Sequence, residues 1–148
     1  MCGCDKKKKT HLRLKFSKND AEFKTTNITV DNSTTNNIST SFVKAPIYSL
    51  KNKQIGYKVS DDIVQQVGEN KYVVTLNNTY AFTSKGVCVG SITWKYVFIN
   101  TTNSVFYPVN VPAKSTIISG TGVFSKAKGK VTLMAKPNGD RFVDIKFE

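Results

Sequence analysis

The chain has 148 residues, 39% of them hydrophobic, and a net charge of +12 from 22 basic and 10 acidic residues. That length suits a single domain whose own core can fold it without a metal or a disulfide staple. β-Branched and aromatic residues dominate while Ala and Leu are scarce, which speaks against a helical bundle, and no run approaches the roughly 18 apolar residues of a membrane-spanning helix.

Residues 1–9 (MCGCDKKKK) are polar and unpatterned and read as a flexible basic tail. Within residues 1–18, Lys6, Lys7, Lys8, Lys9, Arg13, Lys15 and Lys18 stand against Asp5 alone, so the excess charge is concentrated at one end. Such a run is an interaction tail, and Lys6 to Lys9 are its candidate binding residues. An acidic protein surface or an anionic membrane suits it best. Nucleic acid is less favoured, because the aromatics interleave with hydrophobes instead of with Lys and Arg. Cys2 and Cys4 are lipidation candidates, since two acylatable thiols beside a polybasic patch supply the two signals that stable anchoring needs. No apolar stretch follows the start, so the expected location is intracellular, not secreted, at a membrane or within a virus particle. The Asn27, Asn32, Asn37, Asn77 and Asn100 sequons then reflect composition. Cys2, Cys4 and Cys88 make an odd count, against a disulfide framework. Neither a metal nor a cofactor is expected, because only His11 lies near the tail cysteines and zinc wants four ligands.

Residues 10–148 read as one β-barrel domain. Leu12, Leu14 and Phe16 alternate with Arg13, Lys15 and Ser17, the period of a half-buried strand. Residues 31–41 are polar in all but Ile38 and read as a long loop. Short strands are expected at 43–48 and 55–59, and a helical turn at 61–68. Residues 72–82 read as a strand with Tyr72, Val74, Leu76, Tyr80 and Phe82 on one face. In 87–99, the strongest strand, Cys88, Ile92, Trp94, Tyr96 and Phe98 share a face. Residues 105–111, 115–118, 130–136 and 141–147 complete the set. Asn138-Gly139 supplies the positive φ angles of a tight hairpin. Many short strands with regular turns mean a sandwich or barrel, and closure into about eight antiparallel strands removes the exposed edges.

The run Ser119-Gly120-Thr121-Gly122-Val123-Phe124-Ser125-Lys126-Ala127-Lys128-Gly129 resembles the late motif of the dirigent and allene oxide cyclase barrels. Phe82-Thr83 with Gly86 and Gly90-Ser91 is similar to their central hairpin, Thr10 to Leu14 to their first strand, and Gly56-Tyr57 to their early glycine. The resemblance spans residues 10–148 and is specific only in 119–129. It implies an eight-stranded antiparallel barrel, often trimeric, with a ligand cavity. Family members steer phenoxy-radical coupling or cyclise an unstable fatty-acid epoxide. Gly120, Gly122 and Gly129 are then structural, at turns or bulges of the barrel wall.

The family's cavity residues are mostly unmatched. The His-Asp pair that ends the dirigent first strand is replaced by Ser17 and Lys18, with Asp20 two residues later. Its arginine after the early glycine gives way to Tyr57 and Lys58, and the central hairpin carries a one-residue insertion. The leading expectation is therefore a non-catalytic binding or assembly module, docking on itself or a protein partner, such as a component of a virus capsid. The alternative is a dirigent-like or cyclase-like protein that shapes a small apolar ligand in the barrel, with Asp20, Tyr57 and Tyr96 as acid–base candidates. Asp61, Asp62 and Glu69 form the one central acidic cluster, either cavity carboxylates or a solvated turn. The tyrosines at 57, 72, 80, 96 and 107 either line a cavity or fill the barrel. His11 reads as solvated and Cys88 as a buried small hydrophobe. The expected lumen is closed by Phe16, Trp94 and Phe124, with Asp20 outside in solvent. A lumen of Phe, Val, Ile and Leu would favour the module, and one with carboxylates and tyrosines the ligand-shaping protein.

Overall fold

The computed structural model describes residues 11–29 and 37–148. Nine strands follow in order: β1 (His11–Ser17), β2 (Glu22–Thr29), β3 (Asn37–Ser49), β4 (Gln54–Gly68), β5 (Lys71–Ser84), β6 (Val87–Asn100), β7 (Ala113–Gly122), β8 (Gly129–Ala135) and β9 (Asp140–Phe147). Every sequential pair from β2 to β9 is antiparallel, and β1 pairs with β9 along its whole length. β1 also meets β3 at Leu14 opposite Ser49 and Lys15 opposite Tyr48, which closes an eight-stranded barrel. β1 and β2 share one position in that barrel. A 3-10 turn at Lys18–Asp20 breaks the chain between them, and β2 then continues along the same edge of β3.

Alternation builds the wall. Leu14 and Phe16 of β1, Val131 and Leu133 of β8, and Val143 and Ile145 of β9 point inward and are buried, while their sequence neighbours are less so. The hairpin between β8 and β9 turns at Gly139, whose φ of +99° suits glycine. Phe124 stacks on Phe147 and leans on Phe82, so one end of the barrel is stopped by aromatic rings.

Four expectations are corrected. Residues 61–68 are strand, not helix, because β3 and β5 pair with β4 on both sides and override a weak local helix signal. Residues 37–41 of the expected loop are the start of β3. Residues 105–111 form no strand, since Pro108 and Pro112 bracket the segment and Asn110 takes a φ of +60°. Cys88 is exposed, because a β-bulge at Val89, where the register passes from Phe82–Gly90 to Thr83–Cys88, takes it off the face of Trp94. The tail at 1–9, with Cys2, Cys4 and Lys6 to Lys9, lies outside the described residues.

Candidate functional site: a polar belt inside the barrel

β4 carries an inverted pattern. Its residues Tyr57 and Val59 face outward, 40% and 43% exposed, while Lys58, Ser60 and Asp62 face the lumen. The registers then line up three inward rows. Ala45, Lys58, Tyr80 and Ile92 form one; Val43, Ser60, Asn78 and Trp94 the next; Ser41, Asp62, Leu76 and Tyr96 the third. Arg141 reaches in from β9, opposite Phe16 of β1. Lys58, Asp62, Asn78 and Arg141 are each less than a tenth exposed. This belt splits the interior apolar packing into a large cluster around Ile47, Tyr80, Trp94 and Ile145 and a small one of Val64, Val74 and Leu76.

The belt is poorly satisfied. The Ser60 hydroxyl, Asp62 Oδ1, Asn78 Nδ2, the Tyr80 hydroxyl and Trp94 Nε1 are buried without a protein hydrogen-bond partner among the described residues. Each such group costs about 1–3 kcal/mol. Neither Lys58 nor Arg141 has a carboxylate within 4.0 Å among the described residues. The Lys58 ammonium instead lies 4.6 Å above the Phe16 ring, and Arg141 donates to the Gly139 carbonyl at 2.9 Å. Burial pushes the Lys58 pKa down, opposed by Asp62 and reinforced by Arg141. Burial pushes the Asp62 carboxyl up, opposed by Lys58 and by the nearby Ser60 hydroxyl, which stops short of hydrogen-bonding geometry. Burial also raises Tyr80, so its hydroxyl stays protonated. Lumen burial thus drives one acid and one base toward their neutral forms.

Residues 101–112 cross the mouth of this site. Asn110 ties the segment to the wall through its backbone amide, 2.8 Å from the Ala135 carbonyl, and Phe106 N–H donates to Ser104 Oγ at 3.1 Å. Tyr107 packs edge-on against Tyr96 and Phe98, and burial beside Tyr96 pushes its hydroxyl up to about 12. The Phe106 ring meets Phe23 edge-on and lies 4.8 Å from Lys18 Nζ and 5.9 Å from the Arg141 guanidinium. Beneath it remains a cavity of about 50 Å³ bordered by Phe16, Val43, Lys58, Asp62, Asn78 and Leu133. That is space for a few waters and not for a larger guest.

The residues named in advance fare unevenly. Asp20 is exposed in the 3-10 turn and Tyr57 faces outward, so the set Asp20, Tyr57 and Tyr96 does not converge: only Tyr96 faces the lumen. Of the acidic cluster, Asp62 is inside, while Asp61 and Glu69 are exposed. Phe16 and Trp94 are buried in the lumen and Phe124 sits at its stopped end, yet Phe106 closes the other side. His11 is exposed, with Nδ1 3.0 Å from Asp144 Oδ1 on the outer face. At Gly120 and Gly129 a Cβ would run into the carbonyls of Phe124 and Lys146; Gly122 adds a φ of +57°. Lys58, Asn78 and Arg141 were missed as site residues. The signal that could have found Lys58 and Asn78 is polar residues standing on the even face of β4 and β5, which carries Tyr80 and Phe82, and for Arg141 it is the shared parity with the buried Val143 and Ile145 on β9.

No family model matches the chain, and no curated protein matches it in sequence. Solved structures do match it in shape. A pyocyanin demethylase superposes with a TM-score of 0.58 at 16% identity, over 93% of this chain and 99% of that one. The pterocarpan synthase dirigent protein PsPTS1 gives 0.52 at 16% identity, over 93% of this chain and 92% of its own. A second such dirigent protein, GePTS1, gives 0.52 at 17%, over 93% and 84%. At these identities the likeness concerns the fold, and the fold of this chain is a dirigent-like β-barrel.

Proposed function

We propose that this chain is a small-molecule-binding barrel that takes a largely apolar ligand into its lumen, at the site covered by Phe106. The observation that carries the reading is the inverted face of β4, which buries Lys58, Ser60 and Asp62 where a structural barrel would bury Val, Ile and Leu. Buried polar groups without partners destabilise a fold, and they are retained where a ligand uses them. Phe16, Phe23, Val43, Leu76 and Leu133 supply apolar walls around that polar belt. Two fold neighbours are named for work on small molecules, pyocyanin and pterocarpans, which supports the same reading. The assembly and capsid expectation, drawn from the unmatched family cavity residues, gains no support from the lumen.

Calorimetric titration with 2-naphthol tests the proposal, with the emission of Trp94, the single tryptophan, as a second readout. Saturable one-site binding that shifts Trp94 emission is expected, and Phe106→Ala should tighten it by clearing the mouth. Absence of saturable binding in both proteins would refute the reading.

A further inference from the structure

We propose that the lumen ligand is a flat aromatic anion, with Lys58 as the partner of its negative group and the Phe106 ring standing where its ring binds. The inference rests on the lumen-binding reading above and adds the ligand's charge and shape.

The charge follows from the inventory of the belt. Two cationic side chains, Lys58 and Arg141, are buried against one carboxylate, Asp62, and neither cation lies within 4.0 Å of a carboxylate among the described residues. Lys18 adds a third positive group at the mouth. Burial draws both Asp62 and Lys58 toward their neutral forms, and an anion beside Lys58 favours its protonated form again. Buried charge without a counter-charge is strongly unfavourable, so an anion entering this space is stabilised by partners that are already desolvated. Lys58 stands on the row of Tyr80 and Ile92, with its ammonium 4.6 Å above the Phe16 ring.

The shape follows from Phe106. Its ring is near two cations, Lys18 and Arg141, and edge-on to Phe23, while remaining 43% exposed. Those are the neighbours an aromatic guest would find, and cation–π attraction holds any such ring there. Phe106 belongs to a segment with no strand pairing, held at Asn110, so its ring can yield to a guest more readily than a wall residue can. The Asn78 side-chain amide borders the cavity without a hydrogen-bond partner among the described residues and remains to donate to the ligand's other oxygens.

The test uses the full chain and three probes of one shape: 2-naphthoate, the neutral 2-naphthamide, and the cationic 2-naphthylmethylammonium. Calorimetry at pH 7.5 and low salt should rank naphthoate first, roughly 10- to 100-fold tighter than the amide, the range of a charge-assisted hydrogen bond. In Lys58→Met the naphthoate preference should vanish while naphthamide still binds, which also shows that the variant is folded. Equal affinity for all three probes would overturn the anion assignment and leave the lumen-binding reading standing. Tightest binding of the ammonium would overturn it in favour of Asp62. An undiminished preference for naphthoate in Lys58→Met would overturn Lys58 as the partner. Binding of none of the three would sink both this inference and the reading beneath it.

Discussion

Lys58 and Asp62 stand four residues apart on one strand, so both face the same interior, and neither has a geometry that offsets its burial. Replacing a buried charged group pair with apolar residues of similar volume is commonly neutral or stabilising by about 1–4 kcal/mol. The double variant Lys58→Met, Asp62→Leu should therefore unfold at higher urea concentration than the wild type while losing its ligand. Unfolding at lower urea concentration would mean that the belt holds the barrel together. Titration offers a second check. Lys58 has a lowered pKa in the fold, so between that value and its unfolded 10.5 the unfolded chain binds more protons. Its contribution to stability consequently rises with pH through that window. Asp62 has a raised pKa, so between its unfolded 3.8 and its folded value the native state binds more protons, and its contribution falls as pH rises there. In urea melts from pH 7 to 10, Lys58→Met should flatten the alkaline rise relative to wild type, by about 1.4 kcal/mol for each unit that Lys58 is depressed. An unchanged slope would place Lys58 in solvent. The groups facing Lys58 are Asp62 and Arg141, and both are present in either protein.

At the scale of elements, the strands were legible where apolar residues alternate on the buried face. Leu12, Leu14 and Phe16 marked β1, Val143 and Ile145 marked β9, and Asn138-Gly139 marked the turn before it. β4 was half legible, because the apolar Tyr57 and Val59 set the period while pointing to the wrong side. Period two reveals a strand and not which face is inside, and on β4 the polar face is the one that pairing with β3 and β5 turns inward. The cap was missed for the opposite reason: Val105, Val109 and Val111 read as a strand, while the two prolines remove the donors a ladder needs. The glycine run was legible in kind. Gly122 sits at a φ of +57°, and a Cβ there would run into the Val89 carbonyl and the Gly90 Cα, so a side chain strains the backbone and strikes β6. Gly122→Val should lower stability by more than about 2 kcal/mol, against a change within about 0.5 kcal/mol for Ser125→Ala on the same turn. Equal melting of the two variants would show that the turn tolerates side chains.

For the whole molecule, closure is what makes the lumen site possible. β1 meets β3 at only Leu14 and Lys15 before the Lys18–Asp20 turn diverts the chain, and β2 then runs on along β3. The mouth of the pocket opens beside that diversion, between Lys18, Ala21 and Phe23 on one side and Phe106 on the other. The far end is stopped by Phe82, Phe124 and Phe147. The pocket thus lies between the aromatic rings of Phe82, Phe124 and Phe147 at one end and the non-strand segment that carries Phe106 at the other. The barrel class was readable from the sequence because strand spacing and turn chemistry are local. The polar belt was not, because it is assembled from registers across β3, β4, β5 and β9 that no single segment discloses. The measurement that bears most directly on the lumen as a binding site is a crystal structure of the chain grown with 2-naphthoate. The expected result is the ligand between Phe23 and Leu76, its carboxylate at Lys58, and Phe106 swung out of the mouth; a ligand confined to the outer face, with Phe106 still seated over an empty lumen, would contradict it.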